Sequence, residues 1–136
     1  MGTSCVIAIK KLDGNFDSIT VHYDGYSSHM VPLLNTHYTD VQKVKALIAL
    51  GNCSVLDESI NCPGGHSFAD PIDGYSIFYH RDRGEEWEIN APVLNLSEHM
   101  FFHDTRRDIV YFFDESDNSW YKGIYKEDIG REYIKF

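Results

Sequence analysis

Cys5-Val6-Ile7-Ala8-Ile9-Lys10, then Asp13-Gly14-Asn15, then Ser18-Ile19-Thr20-Val21-His22-Tyr23-Asp24, is the stretch whose reading decides the fold class. The first run is short and apolar, the Asp-Gly-Asn triplet is a turn signal, and the third segment alternates, with Ile19, Val21 and Tyr23 on one face. An amino-terminal β-hairpin is expected. Side chains two apart on a strand point the same way, so the alternation gathers Thr20, His22 and Asp24 on the opposite face.

Beyond Gly25 the spacing turns helical. Ser27 or Ser28 serves as a cap, Pro32 belongs to a first turn, and Met30, Leu33, Leu34 and His37 follow, which predicts a helix ending near Tyr38. Thr39 with Gln42 reads as a capping box ahead of Val41, Val44, Leu47 and Ile48, with Gly51 as the stop. Residues 51–74 carry Gly64-Gly65, Pro63 and Pro71 without periodicity, a long surface loop of the kind that is usually either mobile or functional. Tyr75 to His80 is a strand candidate, and Asn95 with Glu98 caps a short helix through His103. Asp108 to Asp114, the turn Ser116-Asp117-Asn118 and a strand from Ser119 or Trp120 to Tyr125 form a second hairpin. The expected product is a single α+β domain over residues 1–136, an antiparallel sheet built from two hairpins with about three short helices.

Composition narrows the function classes. A chain of 136 residues with 43% hydrophobic and 14% aromatic content is one domain with a packed core, not a disordered chain. Twelve Lys and Arg against twenty-one Asp and Glu leave a net charge of −9, which repels phosphate backbones and argues against direct nucleic-acid binding. That charge fits solubility or docking onto a basic partner. Met1 to Lys11 lacks the pattern of a signal peptide, and no apolar run approaches the roughly 18 residues of a spanning helix, so a cytosolic chain without membrane contact is expected. Its three cysteines, Cys5, Cys53 and Cys62, are expected as reduced thiols.

Two His-x-Asp pairs carry the candidate chemistry. His22 with Asp24 makes a general base beside its orienting carboxylate, or two metal ligands, or simply a solvated pair on a sheet face. His80 and Asp82, followed by Glu85, repeat the arrangement. Arg81 and Arg83 between them supply a bidentate grip on phosphate or carboxylate, or a local salt-bridge set with Glu85 and Glu86. His80-Arg81-Asp82 has the letters of a kinase catalytic loop, but the glycine-rich loop, the following Asn and the Asp-Phe-Gly metal site are missing. Cys53, Cys62 and His66 fit no common zinc spacing, no nucleophile elbow occurs, and Cys5 reads as an inert core thiol. No cofactor and no metal are expected.

The chain resembles a family of short proteins encoded by bacteriophages and prophages. The resemblance rests on Met1-Gly2-Thr3 leading into Val6 to Lys10, on His22-Tyr23-Asp24-Gly25-Tyr26, Leu33-Leu34, His37-Tyr38 and Leu47 to Gly51, and on Tyr79 to Glu85, and it covers the first two thirds. Where family members carry a glycine-containing stretch and an Arg, this chain has Ser27-Ser28-His29-Met30-Val31 and Ser4. The resemblance implies an accessory gene product acting in the host cytoplasm. On that basis the expected function is inhibition of a host defence or regulatory system, such as CRISPR or nucleotide-signalling immunity, by binding a host protein. An acidic, aromatic-rich surface including Tyr23, Tyr26, Arg81, Arg83, Glu85 and Trp87 would carry it. The alternative is a nucleotide-ligand sponge or metal-dependent phosphodiester enzyme using His22, Asp24, His80 and Asp82. A third reading is a homo-oligomer joined through edge strands.

Overall fold

The computed structural model describes residues 2–126 and 130–136. Its elements run β1 (Cys5–Lys10), β2 (Phe16–Val21), α1 (Ser27–His37), α2 (Val41–Ala49), β3 (Cys53–Val55), β4 (Ile77–Phe78) and α3 (Tyr79–Arg83). They continue as α4 (Trp87–Asn90), β5 (Val93–Leu96), α5 (Glu98–Asp104), β6 (Val110–Asp114), β7 (Ser119–Lys126) and β8 (Gly130–Lys135).

Both expected hairpins form, but they join through a parallel seam. β1 pairs antiparallel with β2 and parallel with β6, Val6 facing Val110 and Ile9 facing Phe113. β2 also meets β3 in parallel at Val21 and Cys53. The sheet, in the order β4-β3-β2-β1-β6-β7-β8 with β5 also on β2, is therefore mixed and not antiparallel as expected. The unbroken burial of Cys5 to Ile9 explains the seam: β1 is central and covered on both faces, the setting in which a parallel neighbour is tolerated.

Period-two alternation splits the core into two layers. Cys5, Ile7 and Ile9 with Ile19, Val21, Tyr111 and Phe113 meet Met30 and Leu34 of α1 and Val44 and Leu47 of α2. Val6, Ala8, Phe16, Val110 and Phe112 meet Phe101 of α5, whose ring lies parallel to Phe16 at 4.3 Å.

Local signals were displaced by a residue or two. Neither Ser27 nor Ser28 caps α1, and Pro32 lies inside it, where its missing N–H leaves one helical bond unmade. Asp40, not Thr39, caps α2, its carboxylate accepting from the Gln42 N–H at 2.9 Å. Ser97, not Asn95, caps α5, accepting from the Met100 N–H at 3.3 Å, while Asn95 adopts φ 58°. The strand expected over Tyr75 to His80 shrinks to β4 and turns helical at Tyr79, and the described residues form five helices instead of about three. Among the described residues no helix is long and apolar enough to cross a membrane.

Candidate functional site: a polar staple carrying an exposed apolar face

Between Asp57 and Tyr75 the only buried residue is His66. Its Nδ1 accepts from the Ile72 N–H at 3.0 Å, so the ring proton sits on Nε2, which donates to the Ser76 carbonyl at 3.1 Å. With both nitrogens engaged, the ring cannot also serve as a metal ligand. Asp82 completes the staple. Its fully shielded carboxylate accepts from the Phe78 N–H at 2.8 Å, from Arg81 Nε at 2.9 Å and Nη2 at 3.1 Å, and from the Cys62 thiol at 3.5 Å. Burial alone would raise its pKa, but the Arg81 guanidinium, the Phe78 N–H and Cys62 together hold it below the ordinary carboxylate value. Arg81 reaches onward to the Ile60 carbonyl and to the Ser76 carbonyl at 3.3 Å, its guanidinium over the Phe78 ring. Its donors thus close the loop over residues 57–75 and are not presented as a phosphate grip.

The strand geometry that would align the His-x-Asp pairs is missing for two different reasons. On α3, residues two apart do not share a face, and His80 turns its Nδ1 to the Glu85 carbonyl at 2.8 Å and its ring to Trp87, whereas Asp82 points into the staple. The other pair relied on strand alternation, but β2 ends at Val21 and Asp24 stands at φ 60° in the turn towards α1. His22 instead places Nδ1 2.6 Å from the Tyr79 hydroxyl. Burial raises the Tyr79 pKa, against a hydrogen bond with the Ser54 side chain. Arg83 pairs with Glu85 at 3.5 Å and lies over the Phe68 ring, which leans on Tyr79.

Immediately after this staple comes the most exposed apolar stretch of the described chain. Trp87, Ile89, Val93 and Leu94 are 40%, 69%, 52% and 57% exposed. Glu85, Glu86 and Glu88 flank them, and no Lys or Arg occurs from Gly84 to Ser97. Tyr23 and Tyr26 are exposed as expected. Two residues hold α4 in place. Asn52 donates its N–H to the Asn90 carbonyl at 2.7 Å, accepts from the Tyr79 N–H through its own carbonyl at 3.3 Å, and accepts from the Thr20 N–H through Oδ1 at 3.0 Å. Gly51, at φ 82°, lies so close that a Cβ there would stand 2.3 Å from the Asn90 carbonyl oxygen and 3.1 Å from the Trp87 ring.

Asn52, His66, Ile89, Val93 and Leu94 were missed as site residues. Three apolar side chains in an acidic, weakly periodic stretch were the available signal for the last three. Among the described residues no group of three His, Cys, Asp or Glu converges as a metal site. No family model, no curated protein and no solved structure matches this chain.

Proposed function

We propose that this chain is a phage or prophage accessory protein that works by binding, docking its α4–β5 face onto a host protein of a defence or regulatory system in the host cytoplasm. The observation that carries the reading is the run from Trp87 to Leu94, in which four large apolar side chains stand exposed within an acidic stretch. A desolvated aromatic anchor ringed by polar residues is the usual centre of a protein interface, and exposed apolar side chains gathered in one stretch mark such a surface. The surrounding carboxylates would favour a basic partner and speed its encounter. The rival enzyme or nucleotide sponge using His22, Asp24, His80 and Asp82 draws less support: His80 bonds the Glu85 carbonyl, and Asp82 and Arg81 are engaged by backbone groups and by each other.

The test is capture from a bacterial lysate on the immobilised full chain, read by native mass spectrometry. A stoichiometric host protein is expected on the wild type and is expected to be lost on the Trp87→Ala/Ile89→Ser double variant, which should still unfold cooperatively because neither side chain belongs to the buried core. Retention of a nucleotide or metal without any protein would overturn the reading.

A further inference from the structure

We infer that the cavity between α2 and β5 is a socket for one neutral aromatic side chain presented by the protein partner. This deepens the protein-binding reading above, on which it rests, by naming what the partner inserts. Ile9 of β1, Ile48 of α2, Pro92 and Leu94 bring apolar surface to a cavity of about 290 Å³. Pro92 and Leu94 belong to the same stretch as the exposed Trp87 and Ile89, so the cavity is continuous with the proposed docking face.

The wall is held in place before anything binds. Asn95, at φ 58°, donates its N–H to the Asp17 carboxylate at 2.8 Å and accepts from Lys11 through its side chain, and Lys11 pairs with Asp17 at 3.2 Å. That latch fixes β5 beside Leu94, which spares the partner the cost of ordering it. It also bears on the charge of the occupant. Lys11 is closed by Asp17, and Lys45, which also lines the cavity, is closed by Glu115 at 2.7 Å, so an anionic ligand would have to break one of these ion pairs to be held by either lysine. A neutral ring leaves both pairs intact and removes the apolar surface of Ile9, Ile48 and Leu94 from water. A dry apolar cavity of about 150 Å³ accepts one benzene ring, so roughly twice that volume has room for a ring system as large as indole. Aromatic side chains are also among the commonest anchors of protein interfaces.

The probe is indole, titrated into the isotope-labelled full chain at fixed ionic strength beside indole-3-acetate, its anionic counterpart. Saturable amide shifts confined to Ile48, Ala49, Leu94 and their chain neighbours are expected, with the anion binding no more tightly than indole. Ala49→Leu extends a side chain into the cavity from α2 and should abolish those shifts and cut host-protein capture about tenfold or more, the scale of one interface anchor. Leu94→Ser should weaken both, and excess indole should displace the captured protein. Shifts scattered over the surface, or tighter binding of the anion, would overturn the socket. So would a host protein whose capture needs Trp87 yet is indifferent to Ala49→Leu and to indole, an outcome that leaves the protein-binding reading standing. Self-association of the purified chain that Ala49→Leu abolishes would put a second copy in the cavity in place of the partner and overturn the inference. Capture of no host protein at all would overturn the side-chain occupant together with the broader reading.

Discussion

The sheet with its helices and the segment 57–82 are built on opposite principles. In the first, Ile7, Ile9, Phe16, Leu34, Leu47, Phe101 and Phe113 are almost completely removed from water, each contributing on the order of 1.5–3 kcal/mol by burial. In the second, nineteen residues from Asp57 to Tyr75 bury a single histidine, and shape is maintained by His66, Arg81 and Asp82 satisfying backbone groups. Each such bond contributes only about 0.5–1.5 kcal/mol, but removing one partner strands the other at about 1–3 kcal/mol. The difference teaches that the core tolerates a change of shape poorly and the staple tolerates a change of polarity poorly. It also shows why the exposed α4–β5 face can be presented without an apolar core of its own beneath the loop.

The largest effect expected from breaking that contrast is in the core. Phe101→Ala removes a ring stacked on Phe16 and should cost about 3–5 kcal/mol, read as a global loss in denaturant unfolding. Asp82→Asn comes next, at about 3 kcal/mol, because it leaves the Arg81 guanidinium among carbonyls without its counter-ion. Its signature should be local: amide exchange speeds up at Phe68 and Ile72, whose N–H groups bond the Asp82 carbonyl and His66, while Ile7 and Phe112 stay protected. Uniform loss across both regions would show instead that core and staple unfold as one unit.

Acid should give the smallest and most selective effect. The folded pKa of Asp82 lies below the ordinary 3.8, so the unfolded chain binds the proton more readily and stability rises with pH across that interval. The contribution is complete above the ordinary value and is lost as pH falls through the folded one. Exchange at Phe68 and Ile72 measured down that range should therefore accelerate before exchange at Ile7, and Asp82→Asn should abolish the difference in pH dependence.

How much of this was legible depended on how far apart the deciding residues lie. The first turn, α2 and the second hairpin were readable because Asp13-Gly14-Asn15, Val41 to Ile48 and Ser116 to Asn118 act on their own neighbourhood. The parallel pairing of β1 with β6 was not, since about a hundred residues separate strands that each read equally well as half of a hairpin. Among site residues, the exposure of Tyr23, Tyr26 and Trp87 followed the reading. The His22 and Asp24 pair lost its strand basis because β2 ends at Val21, and the His80 and Asp82 pair lost it because that segment is helical, so the period-two alternation that grouped each pair does not apply.

The sequence by itself determined the α+β class, the positions of the main turns and helices, and an acidic surface, because backbone preference, side-chain period and charge are properties of a few adjacent residues. Only the tertiary structure decided that β1 is central, that Arg81 and Asp82 close a loop, and that Trp87, Ile89, Val93 and Leu94 stay exposed above Gly51 and Asn52. The reason is physical: a strand edge or a buried carboxylate accepts any partner of the right chemistry, and which partner it meets is settled only when the whole chain closes on itself.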